Sequence, residues 1–412
     1  MTRTSNHAMT VAATLALMVG GAGLTLGAED TDVTFSRDVA PILYENCVAC
    51  HREGDIAPMA LLSYEEARPW AKSIQKAVVR DRTMPPWHSI DPSGTFANDR
   101  RLSEKEIATI DTWIQAGAPE GDPADLPDAP MFEAQWRLGE PDYILTFDEL
   151  SVPAEGPDQF ANLVGVADFG EDKWIRAVEI LPSNRKLVHH VIAITMENLQ
   201  SSADGGGVQG WIAGWAAGTD PAVMPRGTAR FIKQGAQIVA NMHYHPYGEA
   251  GVDQTRVGFH FADPAEVRRE VTNHWVMKND FAIPAGEPAH EVTESYTFDR
   301  EVDLLSVMPH MHLRGKDMKM TLAYPDGSSE VLIDVPHYDF NWQTIYELLE
   351  PKRLPEGTRL DIVGHFDNSP DNPDNPDPSK LVVFGNESTD EMFIGILDIA
   401  EVPDSEASGG GR

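Results

Sequence analysis

The spacing of apolar residues changes character along the chain. Residues 9–26 are dominated by Ala, Val, Leu, Met and Gly, follow Arg3, and lead into Gly27-Ala28 and acidic Glu29-Asp30. That order of charged, apolar and small residues predicts an export signal at 1–28, with a retained membrane anchor as the rival reading. Helical spacing comes next. Ser63 with Glu66 and Ser103 with Glu106 form capping boxes ahead of apolar residues, predicting a helix over 63–80 and a second from 103. The second carries Ile107, Ile110, Trp113 and Ile114 on one stripe and stops at Gly117-Ala118-Pro119. Pro119, Pro123, Pro127 and Pro130 then mark a linker. From about residue 140 the pattern shortens to strand-like runs at 188–195, 237–245, 302–307, 360–366 and 392–399. Turn-forming residues separate these runs, predicting antiparallel β sandwiches, enough chain for two.

Composition narrows the function classes. The chain has 412 residues with 32 Lys+Arg against 65 Asp+Glu, a formal charge of −33. Such acidity excludes nucleic acid and anionic membrane surfaces as partners, because phosphate fields demand Lys and Arg. Most of the charge falls after residue 128, in the strand-rich part. With 42% hydrophobic residues the chain has the material for packed cores. Two cysteines make no disulfide framework, whereas 14 His and 15 Met point toward metal chemistry.

Both cysteines stand in Cys47-Val48-Ala49-Cys50-His51. C-x-x-C-H is the attachment signature of c-type haem: two thiols add to the vinyl groups and the histidine ligates iron. A sixth ligand must come from the opposite face of the ring. Met84, in Met84-Pro85-Pro86-Trp87, is preferred because the 63–80 helix lets the chain travel around the haem; Met59 and His88 are the alternatives. Residues 32–122 resemble the small monohaem cytochrome c domains fused to bacterial enzymes, in which the Met of the Met-Pro-Pro-Trp motif is the distal ligand.

The strand-rich part holds His189-His190, His243-Tyr244-His245 and His310-Met311-His312, with Met392 near its end. On a strand, residues i and i+2 share a face, so His310 and His312 can chelate one ion, as can His243 and His245. Adjacent His189 and His190 need a bulge to act together. Imidazole with thioether and no thiolate suits copper cycling between two oxidation states; zinc would ask for Cys, carboxylate or an H-E-x-x-H helix.

The order Leu187-Val188-His189-His190, Val239-Ala240-Asn241-Met242-His243-Tyr244, His310-Met311-His312 and Asp390-Glu391-Met392 resembles the copper type II, ascorbate-dependent monooxygenases, the family of peptidylglycine α-hydroxylating and dopamine β-monooxygenase. The resemblance implies an electron-transfer copper on His189, His190 and His243, and a catalytic copper on His310, His312 and Met392. His245 has no family role and is read as surface rather than as a partner of a ligand. The peptide-hydroxylating relatives place an Arg, an Asn and a Tyr where this chain has Met308, Ile394 and Ile396. A carboxylate substrate would find no partner there, so the expected substrate is a neutral, partly apolar organic molecule and not a peptide C-terminal glycine.

The resulting expectation is a multidomain chain: signal peptide 1–28, a small all-α cytochrome c domain at 32–122, a Pro-rich linker at 123–139, two all-β, jelly-roll-like copper sandwiches at 140–264 and 265–402, and a disordered tail at 403–412. Its cofactors are one covalent haem c and two coppers. Its partners are O2, the organic substrate, and a redox donor that is either ascorbate-like or a basic cytochrome or cupredoxin. The location is the periplasm. The rival function is a haem/copper electron-transfer or copper-binding protein without hydroxylase activity. Turn chemistry accounts for the acidic 367–378 loop better than calcium does, and His260, His274, His290, His337 and His365 are expected to be structural.

Overall fold

The computed structural model describes residues 33–132, 136–196, 210–216 and 218–402. The signal peptide expected at 1–28 and the tail expected at 403–412 lie outside the described residues. No helix among the described residues is long and apolar enough to cross a membrane.

Helices occupy the first part of the described chain: α1 (Ala40–Asn46), α2 (Tyr64–Ala67), α3 (Ala71–Ile74) and α4 (Glu104–Gln115). Both capping boxes form, with Ser63 and Ser103 Oγ accepting from the N–H of Glu66 and Glu106 while those glutamates reach back to the cap backbone. Pro69 prevents the single helix expected over 63–80. Lacking an N–H, it sits in a 3₁₀ turn (Arg68–Trp70) between α2 and α3, and a π-helical turn (Gln75–Arg80) completes the run. α4 buries Ile107, Ile110 and Trp113 against Phe35, Leu43 and Leu61. The chain leaves α4 through Gly117, whose φ of +91° favours glycine.

The remainder is dominated by strands. The first half contains β1 (Tyr143–Thr146), β2 (Leu150–Val152), β3 (Gln159–Val166), β4 (Lys173–Leu181), β5 (Val188–Thr195) and β6 (Trp211–Ala216). β7 (Ala222–Val223), β8 (Thr228–Ile232), β9 (Gln237–Tyr244), β10 (Gly251–Asp253) and β11 (Arg256–Phe261) complete it. The second half contains β12 (Arg269–Lys278), β13 (Ala282–Ile283), β14 (His290–Thr297), β15 (Val302–His310) and β16 (Gly315–Ala323). β17 (Ser329–Val335), β18 (Tyr346–Leu354), β19 (Arg359–Phe366), β20 (Val382–Val383) and β21 (Phe393–Glu401) follow.

One nine-stranded sheet, ordered β1-β11-β4-β8-β12-β21-β15-β18 with β7 beside β4, runs through both halves. The sheet β3-β9-β5-β6 covers its first half and β14-β19-β16-β17 its second. The halves join through a short parallel pairing of β8 with β12, Thr228 opposite Arg269. The two expected sandwiches therefore share a sheet, which removes an open strand edge from each. Alternation does the rest. On β9, Ile238, Ala240, Met242 and Tyr244 enter the first core, leaving Val239, Asn241 and His243 on the opposite face.

The helical part is docked on both halves. The 90–98 segment runs along β18, with the Ala97 N–H donating to Glu347 (2.7 Å) and the Leu349 N–H to Thr95 (3.1 Å). Buried Asp55 pairs with Arg52 (2.6 Å) and with Arg185 of the first half (2.8 Å). The end of the Pro-rich linker is also anchored: Trp136 is buried, and the N–H groups of Arg137 and Leu138 donate to the Glu179 carboxylate (2.6 and 3.0 Å).

Candidate metal centres

A bulge creates the first centre. β5 pairs with β9 through Val188 opposite Tyr244 and His190 opposite His243, so one residue, His189, is extra on the β5 side. The bulge lets Val188 and Val191 both enter the core while His189 and His190 turn toward His243. His189 Nδ1 lies 3.2 Å from His190 Nδ1, and His243 Nδ1 lies 3.4 Å from His190 Nδ1. Three imidazole nitrogens thus converge on one point.

Asp158 decides which nitrogen His243 offers. Its carboxylate accepts from His243 Nε2 at 2.7 Å, so the proton sits on Nε2 and the Nδ1 lone pair faces the cluster. The other Asp158 oxygen is 2.7 Å from His245 Nδ1. His245, expected to be surface, is exposed as expected, yet it also holds the aspartate that orients His243. The Phe160 ring stacks on His243 at 4.3 Å and fixes its plane. Burial, reinforced by the charge of His243, lowers the His189 pKa to about 4. Burial lowers His190 well below the ordinary range, and His243 as well, although Asp158 opposes the latter. All three are neutral at pH 7, the protonation state that binds metal.

The second pair ends β15. His310 and His312 share a face, with ring centroids 5.3 Å apart, while Met311 between them is fully buried in the core. His310 Nδ1 donates to Gln343 Oε1 (2.9 Å) and His312 Nδ1 donates to the Asp390 carbonyl (3.3 Å). Burial lowers both, His312 to about 3 with His310 contributing. Glu391 ties this loop to the residue before Met392. Its buried carboxylate accepts the N–H of His312 (2.8 Å) and of Arg314 (2.6 Å), and the Arg314 guanidinium is itself fully enclosed. Arg314 Nε donates to Asn368 Oδ1 (2.9 Å), and Asn368 Nδ2 reaches the carbonyls of Pro284 and Lys380. Side chains of the acidic 367–378 loop accept N–H groups of their own loop, as Asp377 does from Ser379 (3.0 Å), so turn chemistry accounts for them.

Both histidine sets open on one cavity of about 770 Å³. His190, His310, His312 and Met392 line it together with Trp211, Met308, Ile394 and other apolar side chains; Asn162, Asn241 and Glu387 supply polar points. The cavity lies against an apolar cluster of Trp211, Met308, Ile394 and Ile396 between the halves. Met308, Ile394 and Ile396 are thus grouped beside the second pair, as register requires: β15 and β21 set His310 opposite Ile394 and Met308 opposite Ile396.

The cysteine motif forms a helical turn, with the N–H groups of Cys50 and His51 both donating to the Cys47 carbonyl. Burial pushes the Cys47 thiol up to about 12 and raises Cys50 too, so neither is the reactive thiolate of a redox C-x-x-C site. His51 Nδ1 donates to the Met59 carbonyl (3.3 Å), leaving Nε2 free. Cys50 opens on a second large cavity, about 780 Å³, between the helical part and the first half. Arg52, Arg100, Arg137 and Arg185 line it, and guanidinium groups match the two carboxylates a haem carries. The volume and the arginines fit a haem, and of Cys47, Cys50, His51 and Met84 it is Cys50 that lines the cavity. Met84 is 37% exposed, and Pro85 and Pro86 after it line the cavity. Met59 packs on the helical core beside His51, and His88 lines a small cleft with Asp339 and Tyr346. Of the other histidines, His260 pairs with Glu179 (3.1 Å) and His365 with Asp317 (2.7 Å), both structural contacts.

Asp158, Gln343 and the four arginines carry no motif in the sequence, and Glu391 is read there only as the neighbour of Met392. Asp158 follows a Gly-Pro turn, and only the fold brings it to His243.

No protein-family model matches the chain, and no curated protein does. Among solved structures, the T13 particle of infectious bursal disease virus covers 63% of this chain and 69% of its own at 8% identity, with a TM-score of 0.18. The VP2 subviral particle of that virus covers 67% and 84% at 10% identity, TM-score 0.18. Similarity at that level carries no argument about fold or function.

Proposed function

We propose that the chain is a copper-dependent monooxygenase that hydroxylates a C–H bond of a neutral, largely apolar molecule with O2, with a covalent c-type haem as its electron-transfer module. The observation that carries the reading is the apolar cavity lined by His190 of the converging three-histidine set and by His310, His312 and Met392 of the second set. In this reading residues 32–122 are the small all-α cytochrome c domain, and 140–264 and 265–402 are jelly-roll-like copper domains of a chain exported to the periplasm. His189, His190 and His243 would hold one copper; His310, His312 and Met392 would hold the other. Cys47, Cys50, His51 and Met84 would hold the haem.

Bound copper supplies the one-electron chemistry that activates O2, and bound haem supplies one-electron transfer. The chain's own residues do the rest. Asp158 and Gln343 hold protons on the outward nitrogens, keeping the inward lone pairs available. Glu391 binds the His312 loop to the start of β21, so that His312 and Met392 keep a common position. Trp211, Met308, Ile394 and Ile396 exclude water and favour an apolar substrate, while among the described residues no Arg or Lys lines the cavity to hold a carboxylate. His51 would offer iron its Nε2, because Nδ1 is bonded to the Met59 carbonyl, and Met84 would supply the sixth ligand. The acidic surface suits a basic cytochrome or cupredoxin as donor, with ascorbate-like reductants as the alternative.

The test starts with metal and haem analysis of the exported protein, then compares Met392→Ala with the parent under O2 and reductant. Two coppers per haem, with O2 consumption and hydroxylated product lost in the variant, support the reading. No copper after loading overturns it. Copper bound with no oxygen consumption on any apolar substrate favours the electron-transfer reading instead.

A further inference from the structure

The haem-attachment turn and the three-histidine centre are joined by one short stretch of backbone. A methyl group built on Gly218 would stand 2.9 Å from Cys50 Sγ, so the Gly218 backbone lies directly against that sulfur. The Gly218 carbonyl accepts from Arg100 at 2.8 Å, which anchors this contact. The Thr219 N–H donates to the Ala216 carbonyl (2.9 Å), and the Ala216 N–H donates to Thr219 Oγ1 (3.0 Å), closing a tight turn. Ala216, the last residue of β6, sits opposite His190 on β5. From the sulfur the path runs through Gly218 to Thr219, crosses the Thr219 N–H to Ala216 carbonyl hydrogen bond, and crosses the strand pair to the His190 backbone.

Trp215 lies beside the same path. Its indole, with the Arg185 guanidinium 5.1 Å from the ring, lines the arginine-rich cavity next to Cys50. It also lines a smaller cavity that reaches His190. The docking contacts through Asp55, Arg185 and the 90–98 segment hold the helical part against the sandwich. The two ends are fixed relative to one another, not brought together by a swinging linker.

We propose that Trp215, with Gly218, Thr219 and Ala216 joined by their hydrogen bonds, forms the electron route from a haem attached at Cys50 to a copper held by His189, His190 and His243. This deepens the function proposed above and rests on it. In the step, ferrous haem becomes ferric and one cupric ion becomes cuprous; a single electron moves, no bond forms or breaks and no proton is transferred. An external one-electron or ascorbate-type reductant restores ferrous haem. Trp215 and Thr219 are not among the ligands proposed for either group, so they act as positioning residues along the route.

The experiment uses the full copper-loaded, haem-bearing chain. Oxidised protein is mixed anaerobically with substoichiometric reductant, and haem absorbance and the cupric spin-resonance signal are followed in time. The expected result is a haem-reoxidation phase whose rate is independent of protein concentration and matches loss of the cupric signal. Trp215→Leu and Thr219→Val each slow that phase by roughly tenfold or more, with haem spectrum, haem potential and copper content unchanged. Trp215→Phe guards against misfolding of the leucine variant and gives an intermediate rate. A parental phase that scales with protein concentration overturns the route, and so do variants that bind both groups and keep the parental rate. Absence of covalent haem or of copper from the parent protein overturns the underlying reading and the route with it, and is told apart by metal and haem content alone.

Discussion

Removing Asp158 is the most direct perturbation of the three-histidine centre that leaves all three histidines in place. The carboxylate accepts from His243 Nε2 and His245 Nδ1, both at 2.7 Å. Although its partial burial raises its pKa, these two hydrogen bonds hold it below the ordinary range, so it is an anion at neutral pH. That anion fixes the His243 tautomer and makes its Nδ1 a better donor. Losing such a partner of a ligating histidine costs 10–100-fold in metal affinity as a rule of thumb. The Asp158 side chain is 41% exposed, so water replaces part of what is lost. The low end therefore applies: Asp158→Ala should weaken Cu(II) binding at this centre about tenfold, about 1.4 kcal/mol. Asp158→Asn keeps an acceptor but loses the charge and should fall between. His245→Ala removes only a tether that is itself exposed, and a change of a few-fold is expected. The assay is a chelator-competition titration of the metal-free protein, with the His310/His312 centre as an internal reference. An Asp158→Ala affinity within about twofold of the parent would show that the carboxylate does not set the ligand.

Four further outcomes follow from the same contacts. Burial pushes the Glu391 pKa up to about 8, so it acts chiefly as an acceptor: Glu391→Ala leaves the buried N–H groups of His312 and Arg314 without their partner and should cost about 2–6 kcal/mol in denaturant unfolding; a loss below about 1 kcal/mol would mean those N–H groups find other acceptors. Replacing Cys47 and Cys50 by Ser should abolish haem staining on denaturing gels, and staining that persists would refute covalent attachment. His274 packs on Tyr296 and burial lowers its pKa below 6.5, so the folded state disfavours its proton. Stability should then drop as pH falls from about 6.5 through the folded value, and His274→Phe should shrink that drop in melting-temperature profiles; an unchanged profile refutes the burial effect. Met308→Arg places a charge in the apolar cavity and should weaken binding of an uncharged aromatic probe by roughly tenfold or more, because the charge resists desolvation; unaltered probe binding would place the ligand elsewhere.

Local pattern alone carried much of this. The capping boxes at Ser63 and Ser103 formed as written, because a cap needs only residues three apart. The α4 stripe and its glycine stop did too. The strand runs at 188–195, 237–245 and 392–399 are strands, and i, i+2 geometry put His310 and His312 on one face. The 63–80 helix was misjudged in its interior, where Pro69 imposes a 3₁₀ turn. The reading of His245 as surface missed its partner Asp158, which lies 87 residues away.

Residue types, spacing and the shortage of cysteine are properties of the chain as a string, and they were legible there. Convergence is not such a property. Whether His189 can join His190 depends on a bulge that forms only when β5 pairs with β9 and both Val188 and Val191 seek the core. Whether two histidine sets share a cavity depends on β8 meeting β12 and fusing the two sandwiches into one sheet. The same holds for Asp158, Glu391 and the contact of Cys50 with Gly218: each joins residues far apart in sequence, where side-chain type constrains chemistry but only packing supplies distance.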